Sequence, residues 1–496
     1  MDLLRGERLT EAAPESAEFT SSVADDAPLI NPVVKINMAH MLMLAKQEYV
    51  KKSDASACLK ALKALPKKFK MDSSLEDVHM NVEAFVIDKA GADAGGQLNL
   101  AKSRNDQVAT AIRMAARERI LETISAIGAV SNALIAIAKK HSDWVMPGYT
   151  HLQHAQPTTL AHHMLAHNDA MLRNAERLLQ CYERVNQSPM GAAALGSVVL
   201  ELDRDYVAKI LGFDTLVENT MDAVSSRDFA IEIVSIMAMT MADLSRLAEE
   251  IILWSSSEFS FAEVSDEHAA TSSIMPQKKN PVVAEMIRSR AAIVIGDLVA
   301  ALSLVKALPL TYNLDLQDLT PKLWDACKNT LSSLKQMASM LKAIKFDRKK
   351  LESSVETAVG AADLANFIAA YKGISFRTAH RIVGALAKEA AENKEEFSKV
   401  AAKSLARVSK RVVKKEISIS KKEIETLLNA KSNINRKVSK GSPSSRETAK
   451  MVQERTKRLS EMLNDISKEV SHLQKADASL MLAVEKFQGG CSQLRP

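Results

Sequence analysis

SSRDFAIEIVSIMAMTMADLSRLAEEIILWSSSEF, residues 225–259, reads as one long helix. Phe229, Ile233, Ile236, Leu244, Leu247 and Ile251 recur at spacings of three, four or multiples of these, the period of a helical face. Ser225 or Ser226 is the expected cap, and Asp228 in the first turn favours the helix dipole. Ile231, Val234, Met237, Met239, Met241 and Ile252 occupy other faces. A helix apolar on several faces is buried on several sides, which predicts the centre of a bundle and further packing against other subunits. The methionines read as core filler rather than a cofactor box.

Two more segments extend the pattern outward: residues 104–143, beginning RNDQVATAIRMAARERIL, and residues 282–308, beginning VVAEMIRSRAAIVIG. The chain has 496 residues, too many for one core, yet only 16 Gly and 13 Pro, so few positions break a helix. With 47% hydrophobic but only 4% aromatic residues, the core must come from Ala, Leu, Ile, Val and Met. The expectation is an all-α protein of three parts: 1–108, a central long-helix bundle 109–355, and 356–496. The stretch before Pro32 reads as irregular, and so does the tail after Gln488. No tandem repeat is present.

Net charge is only +6, but residues 401–460 carry 17 Lys and Arg against 5 Asp and Glu. With no recognition motif or aromatic platform beside it, that excess reads as a solvated helical face, and nucleic acid is not expected as a partner. Cys58, Cys181, Cys327 and Cys491 form no CxxC pair and suggest free thiols in a reducing compartment. The N-terminus lacks the apolar core of a signal peptide, and no run approaches 18 uninterrupted apolar residues. A cytoplasmic protein is expected.

Five segments carry chemistry. In TSSIMPQKKNP (271–281), hydroxyls lie beside two lysines and an asparagine in a loop. A serine acts as a base only where cations and dryness stabilise its alkoxide, and Lys278 and Lys279 are candidates for that charge. PGYTHLQHAQP (147–157) crowds His151, Gln153, His154 and Gln156 between prolines, and histidine is the default proton carrier near neutral pH. SRNDQVAT (103–110) reads equally as a capped helix start or an anion site, with Arg104 able to fork onto a carboxylate. SSRD (225–228) and YNLDLQ (312–317) also mix polar groups. His163 and His167 have the i,i+4 spacing of a metal-binding helix, but no Glu follows His163, so neither a metal nor any other cofactor is expected.

Taken in order, these segments resemble the argininosuccinate lyase family. SSIMPQKKNP is similar to the loop shared across the fumarase/aspartase superfamily, and its QKKNP half to the argininosuccinate lyase branch. SRNDQVAT, GYTHLQHAQPTT, YNLDLQ, EDVHMNVE (76–83), ENTMDAVSSRDF (218–229) and GISFRTAH (373–380) also match that branch. The resemblance runs from about residue 19 to about residue 385.

It implies a three-domain fumarase/aspartase-like fold, a homotetramer with a twenty-helix core, and active sites shared between subunits. It implies reversible β-elimination of argininosuccinate to arginine and fumarate, the last step of arginine biosynthesis. Ser272 would be the base, Lys278 and Asn280 would steady the dianionic intermediate, and His151 with Glu285 would handle the other proton. Ser22, Ser103, Arg104, Asn105, Thr150, Gln156, Arg227, Tyr312 and Gln317 would contact substrate, with Asp77, His79 and Lys322 as further candidates.

Three positions depart from the family's usual residues: Thr271 stands for Gly, Lys102 for Arg, and Thr320 for Lys. These touch contacts to the arginine half more than the elimination. Another fumarate-releasing lyase and a crystallin-like structural protein are the alternative readings.

Overall fold

In the computed structural model, residue 8 and residues 12–355 and 357–492 are described. Five long helices form the bundle: Arg104–Lys140, Leu160–Val185, Asp228–Ser255, Val282–Val305 and Asp315–Ala343. Each packs on the next, and the fifth packs on both the first and the third, which closes the bundle. Phe229, Ile233, Ile236, Leu244, Leu247 and Ile251 are all buried in the third helix, along the face that the periodicity predicts. Each such side chain contributes roughly 1.5–3 kcal/mol on burial. The cap differs from expectation. Ser225 ends a short helix, Thr220–Ser225, and Arg227 occupies the cap position without a side-chain capping bond. Asp228 does stand in the first turn.

The first bundle helix is long and apolar enough to cross a membrane, but its apolar stretch is mostly buried inside the protein, as befits a core helix. Two buried cations on it hold the chain around it. Arg117 donates to the Asn186 Oδ1, Leu211 and Gly212 oxygens at 2.8, 2.6 and 2.9 Å and lies over the Phe213 ring. Arg113 donates to the Arg184 carbonyl at 2.8 Å and lies over Phe229. Planar guanidinium groups can satisfy several carbonyls while stacking on a ring, which makes these burials affordable.

A smaller core, separate from the bundle's, joins helices Ala361–Lys372, Phe376–Asn393, Phe397–Val413 and Lys421–Leu428. The outer boundaries differ from the sequence expectation. The cut at 108 falls inside the first bundle helix. The last helix, Ser445–Ser492, leaves the 356–496 part and packs on the first two bundle helices, because its Leu459, Met462, Ile466 and Leu480 belong to the main core. The helix also runs past Gln488, since extending a formed helix costs far less than starting one. Before Pro32, residues 14–20 are helical rather than irregular.

Candidate active site

A cavity of about 180 Å³ opens where the N-terminal segment, the start of the first bundle helix and the start of the fifth meet. Its wall includes Ser22, Asp77, His79, Arg104, Asn105, Tyr312 and Gln317, seven of the expected residues from four separate stretches. Local chemistry explains the placement. The Ser103 hydroxyl accepts from the Asn105 N–H and its own N–H donates to Asp106, a capping box that starts the helix. Ser103 therefore serves as a cap, and Arg104 and Asn105 are carried into the cavity wall. Asp77 caps the helix Val78–Ala90 by accepting from Met80 N–H at 2.7 Å.

The cation of the cavity wall, Arg104, is paired. Arg104 binds Asp77 through one amino group and reaches Glu83 at 3.7 Å through the other. The Ser22 hydroxyl donates to Asp26 Oδ2 at 2.8 Å, and burial raises Asp26 to about 6 against the hydrogen bonds from Val78 and Ser22. Burial lowers His79 to about 4, so its ring is neutral at physiological pH. Its Nδ1 lies 3.1 Å from Gln107 Oε1, while its buried Nε2 has no partner among the described residues. The Gln317 amide donates to the Thr20 carbonyl at 2.9 Å.

Arg227 is not part of the cavity wall, but its charge interacts with the Tyr312 phenol. It is 1% exposed, and burial lowers it to about 10, partly offset by Tyr312. Burial pushes the Tyr312 phenol up, against the pull of Arg227. Two guanidinium nitrogens of Arg227, Nε and Nη2, have no partner among the described residues. A buried donor left unsatisfied costs about 1–3 kcal/mol, which marks this as a place where an acceptor would be welcome.

The second cluster sits on a hairpin. Strand Val145–Thr150 pairs antiparallel with Gln153–Thr159, and Thr150 faces Gln153. That leaves His151 and Leu152 as a two-residue turn, both with positive φ (54° and 56°). Such turns favour Asn and Gly, so two side chains here carry strain of about 1–3 kcal/mol each. The strain presents His151 at an exposed tip, with Thr150 and Gln156 on the flanking strands. The hairpin bulges between Pro147 and Tyr149, and a Cβ on Gly148 would meet the Gln156 carbonyl oxygen at 2.6 Å.

The third cluster is the Ser-Lys loop. Ala270–Thr271 pairs antiparallel with Lys279–Asn280, with Thr271 opposite Lys279. The Ser272 N–H donates to the Lys278 carbonyl at 3.1 Å, and the Ser272 hydroxyl accepts from Ile274 and Met275 N–H at 3.4 and 3.2 Å. Lys278 donates to the Asn280 side-chain oxygen. The neighbouring lysine is otherwise engaged: Lys279 Nζ lies 3.0 Å from Glu263 and 2.6 Å from Asp266. The sequence left both lysines as candidates. The structure ties Lys279 to carboxylates at the hairpin base and keeps Lys278 beside Ser272.

These clusters do not merge within one chain. The cavity wall contains none of Ser272, Lys278, Asn280, Glu285, Thr150, His151 or Gln156. Glu285 lies exposed in the first turn of the fourth bundle helix, and among the described residues no hydrogen bond or ion pair joins it to His151. Lys322 is not in the cavity either. It lines a shallow depression with Ala300 and Ser303, while Thr320 lines the cavity. Residues two apart on a helix point to nearly opposite sides, so Lys322 cannot replace a lysine at 320. Asp26, missed from sequence, belongs to the wall; in SSVADDAP nothing distinguishes it from Asp25.

An all-α bundle that carries a serine-lysine-asparagine hairpin and, apart from it, a polar cavity holding Arg104, Asn105 and Tyr312 is the build of a lyase of the fumarase/aspartase class. The chain matches the Lyase family over residues 6–296 and the argininosuccinate lyase C-terminal family over residues 358–435. It is 44% identical to an argininosuccinate lyase of Methanothrix thermoacetophila, covering 98% of this chain and 99% of the relative. It is 36% identical to one from Methanocaldococcus jannaschii, covering 97% and 99%. Among solved structures, an EDDS lyase in complex with formate is similar along the whole of both chains, with TM-score 0.89 and 27% identity. The class II fumarase of Schistosoma mansoni shares the fold, with TM-score 0.71 at 16% identity over 80% of this chain and 92% of that one. The chain belongs to the argininosuccinate lyase family.

Proposed function

We propose that the chain cleaves argininosuccinate to arginine and fumarate by β-elimination. Ser272, as its alkoxide, removes the proton from the carbon next to a succinate carboxylate. The charge passes into that carboxylate as a dianionic aci form, which Lys278 and Asn280 stabilise. The C–N bond then breaks, and the departing guanidino nitrogen takes a proton through His151, oriented by Glu285. Arg104, Asn105, Arg227, Thr150 and Gln156 hold the carboxylates, and Tyr312, Gln317 and Ser22 face the arginine half. The observation that carries this reading is the Ser272–Lys278 closure beside a Lys279 already neutralised by Glu263 and Asp266: one lysine is left for the chemistry.

The site is completed by assembly. On the fourth bundle helix, Met286, Ile293, Val299 and Leu302 are each more than half exposed in the single chain. Apolar side chains in such number on a central helix favour burial against other copies. A homotetramer whose bundles pack together would cover them and bring the hairpin, the loop and the cavity of different subunits into one cleft. The 361–436 helices then form a peripheral unit whose basic surface stays in solvent, and the enzyme works in the cytoplasm.

Purified protein supplied with argininosuccinate, aspartate or malate tests the reading, with fumarate followed by its ultraviolet absorbance. Release of fumarate and arginine in equal amounts from argininosuccinate is expected. Turnover of another of these with none from argininosuccinate would replace the substrate while keeping the chemistry.

A further inference from the structure

Outside the three clusters, the second and third bundle helices meet in a group of side chains that elimination does not use. His163 and His167 stand one turn apart on the helix Leu160–Val185, and Glu250 projects from the helix Asp228–Ser255. Glu250 Oε2 lies 2.6 Å from His163 Nε2 and 2.7 Å from His167 Nε2, and the three donor atoms all lie within 4.8 Å of one another. From these contacts we infer that His163, His167 and Glu250 form a binding site for one divalent transition-metal ion of zinc's class.

Two imidazoles and a carboxylate are a donor set that zinc uses when it keeps a fourth position for water. Zinc bonds of about 2.0–2.2 Å place tetrahedral donors ~3.3 Å apart, so small rotations of the three side chains suffice. The sequence could not reveal the set, because the third donor comes from another helix 83 and 87 residues away. The site is prepared in two respects. The His163 ring is braced edge-on by Trp254, with centroids 5.1 Å apart, and Trp254 is itself buried. All three side chains are partly exposed, which leaves an entry path. The adjacent His162 is spent elsewhere, between Thr158 Oγ1 and the Gly441 carbonyl.

The position gives the ion a structural consequence. His163 lies in the first turn of the helix that follows the His151 hairpin, and Glu250 lies near the end of the helix Asp228–Ser255. A bound metal therefore clamps the helix leaving the hairpin to the central bundle helix.

The full-length protein, stripped with chelator and dialysed, is titrated with Co²⁺ and Zn²⁺ and compared with His163→Gln, His167→Gln and Glu250→Gln. One Co²⁺ per chain is expected, with the visible absorption of tetrahedral cobalt, and Zn²⁺ should raise Tm. Each variant should lose more affinity than the roughly 10–100-fold that removal of an outer-shell partner costs. The glutamines keep an amide at each position to preserve packing, and the wild-type stoichiometry is read without any variant. Failure of the wild type to bind stoichiometrically, or binding that persists in all three variants, would overturn the site and leave a hydrogen-bonded His–Glu–His cluster only.

Discussion

Ser272 and Lys278 close a loop on each other, the N–H of the first donating to the carbonyl of the second at 3.1 Å. The closure sets the two backbones side by side, while the Lys278 ammonium donates to the Asn280 side-chain oxygen and the Ser272 hydroxyl accepts from the Ile274 and Met275 N–H groups. A base that must exist as an alkoxide needs a cation within reach. The same loop exposes Ile274 and Met275.

Replacing Ser272 with alanine removes the proposed base while leaving the backbone bond to Lys278 intact. Turnover should fall by about 10²–10⁴-fold, the usual contribution of a positioned proton acceptor. Helical content and assembly should not change. Steady-state kinetics with circular dichroism checks this; near-normal kcat in the variant would take the base role from Ser272.

The two lysines should separate cleanly. Lys278→Ala should lower kcat by about 10²–10³-fold, as loss of one donor to a developing anion does. Lys279→Ala breaks only exposed ion pairs with Glu263 and Asp266, and such pairs contribute about 0–1 kcal/mol. Its kcat should stay within a few-fold of the wild type, and equal losses in both variants would contradict the division of labour.

Much of this was readable beforehand, for a physical reason. A buried helix writes its period into adjacent residues, so Phe229 to Ile251 declared the bundle. Loop chemistry within eleven residues pointed to hydroxyls beside Lys278 and Lys279 together, and the choice of Ser272 and Lys278 rested on the family resemblance. Facts that depend on the third dimension were hidden. Neither Lys279's engagement by Asp266 nor Glu250's approach to two histidines has a local signal. Lys322 was a candidate because it lies two residues from Thr320, and only helix geometry turns one into the cavity and the other away. The last helix looked peripheral because its Lys-rich surface masks a stripe, Leu459 to Leu480, that joins the main core.

Asp26 gives the protein a pH dependence of known sign. Its folded pKa of about 6 lies above the ordinary 3.8, chiefly through burial. The stability from its protonated form is fully present below 3.8 and is lost as pH rises through 6. Asp26→Asn keeps an acceptor for the Val78 N–H and carries no charge. The variant should therefore gain on the wild type between pH 4 and 7, by about 1–3 kcal/mol at most. Tm measured across that range checks it, and a difference that does not vary with pH would contradict it.

Gly148 tests the hairpin. A methyl group there would press on the Gln156 carbonyl oxygen, backbone against backbone, so Gly148→Ala must shift the strands under His151. A cost of about 1–3 kcal/mol is expected. Activity should fall with it, because His151 sits at the turn those strands define. Unchanged Tm and activity would show the hairpin to be more compliant than its contacts imply.

The central claim is that cavity, hairpin and loop act together only when different copies of the chain meet. The most direct measurement mixes Ser272→Ala with Arg104→Ala, each inactive alone, by co-expression or by dissociation and reassembly. If the loop and the cavity come from different subunits, random mixing gives about one site in four with both residues intact, and fumarate release should return to about a quarter of the wild-type rate. Hybrid assemblies that form yet remain as inactive as either parent would contradict the account.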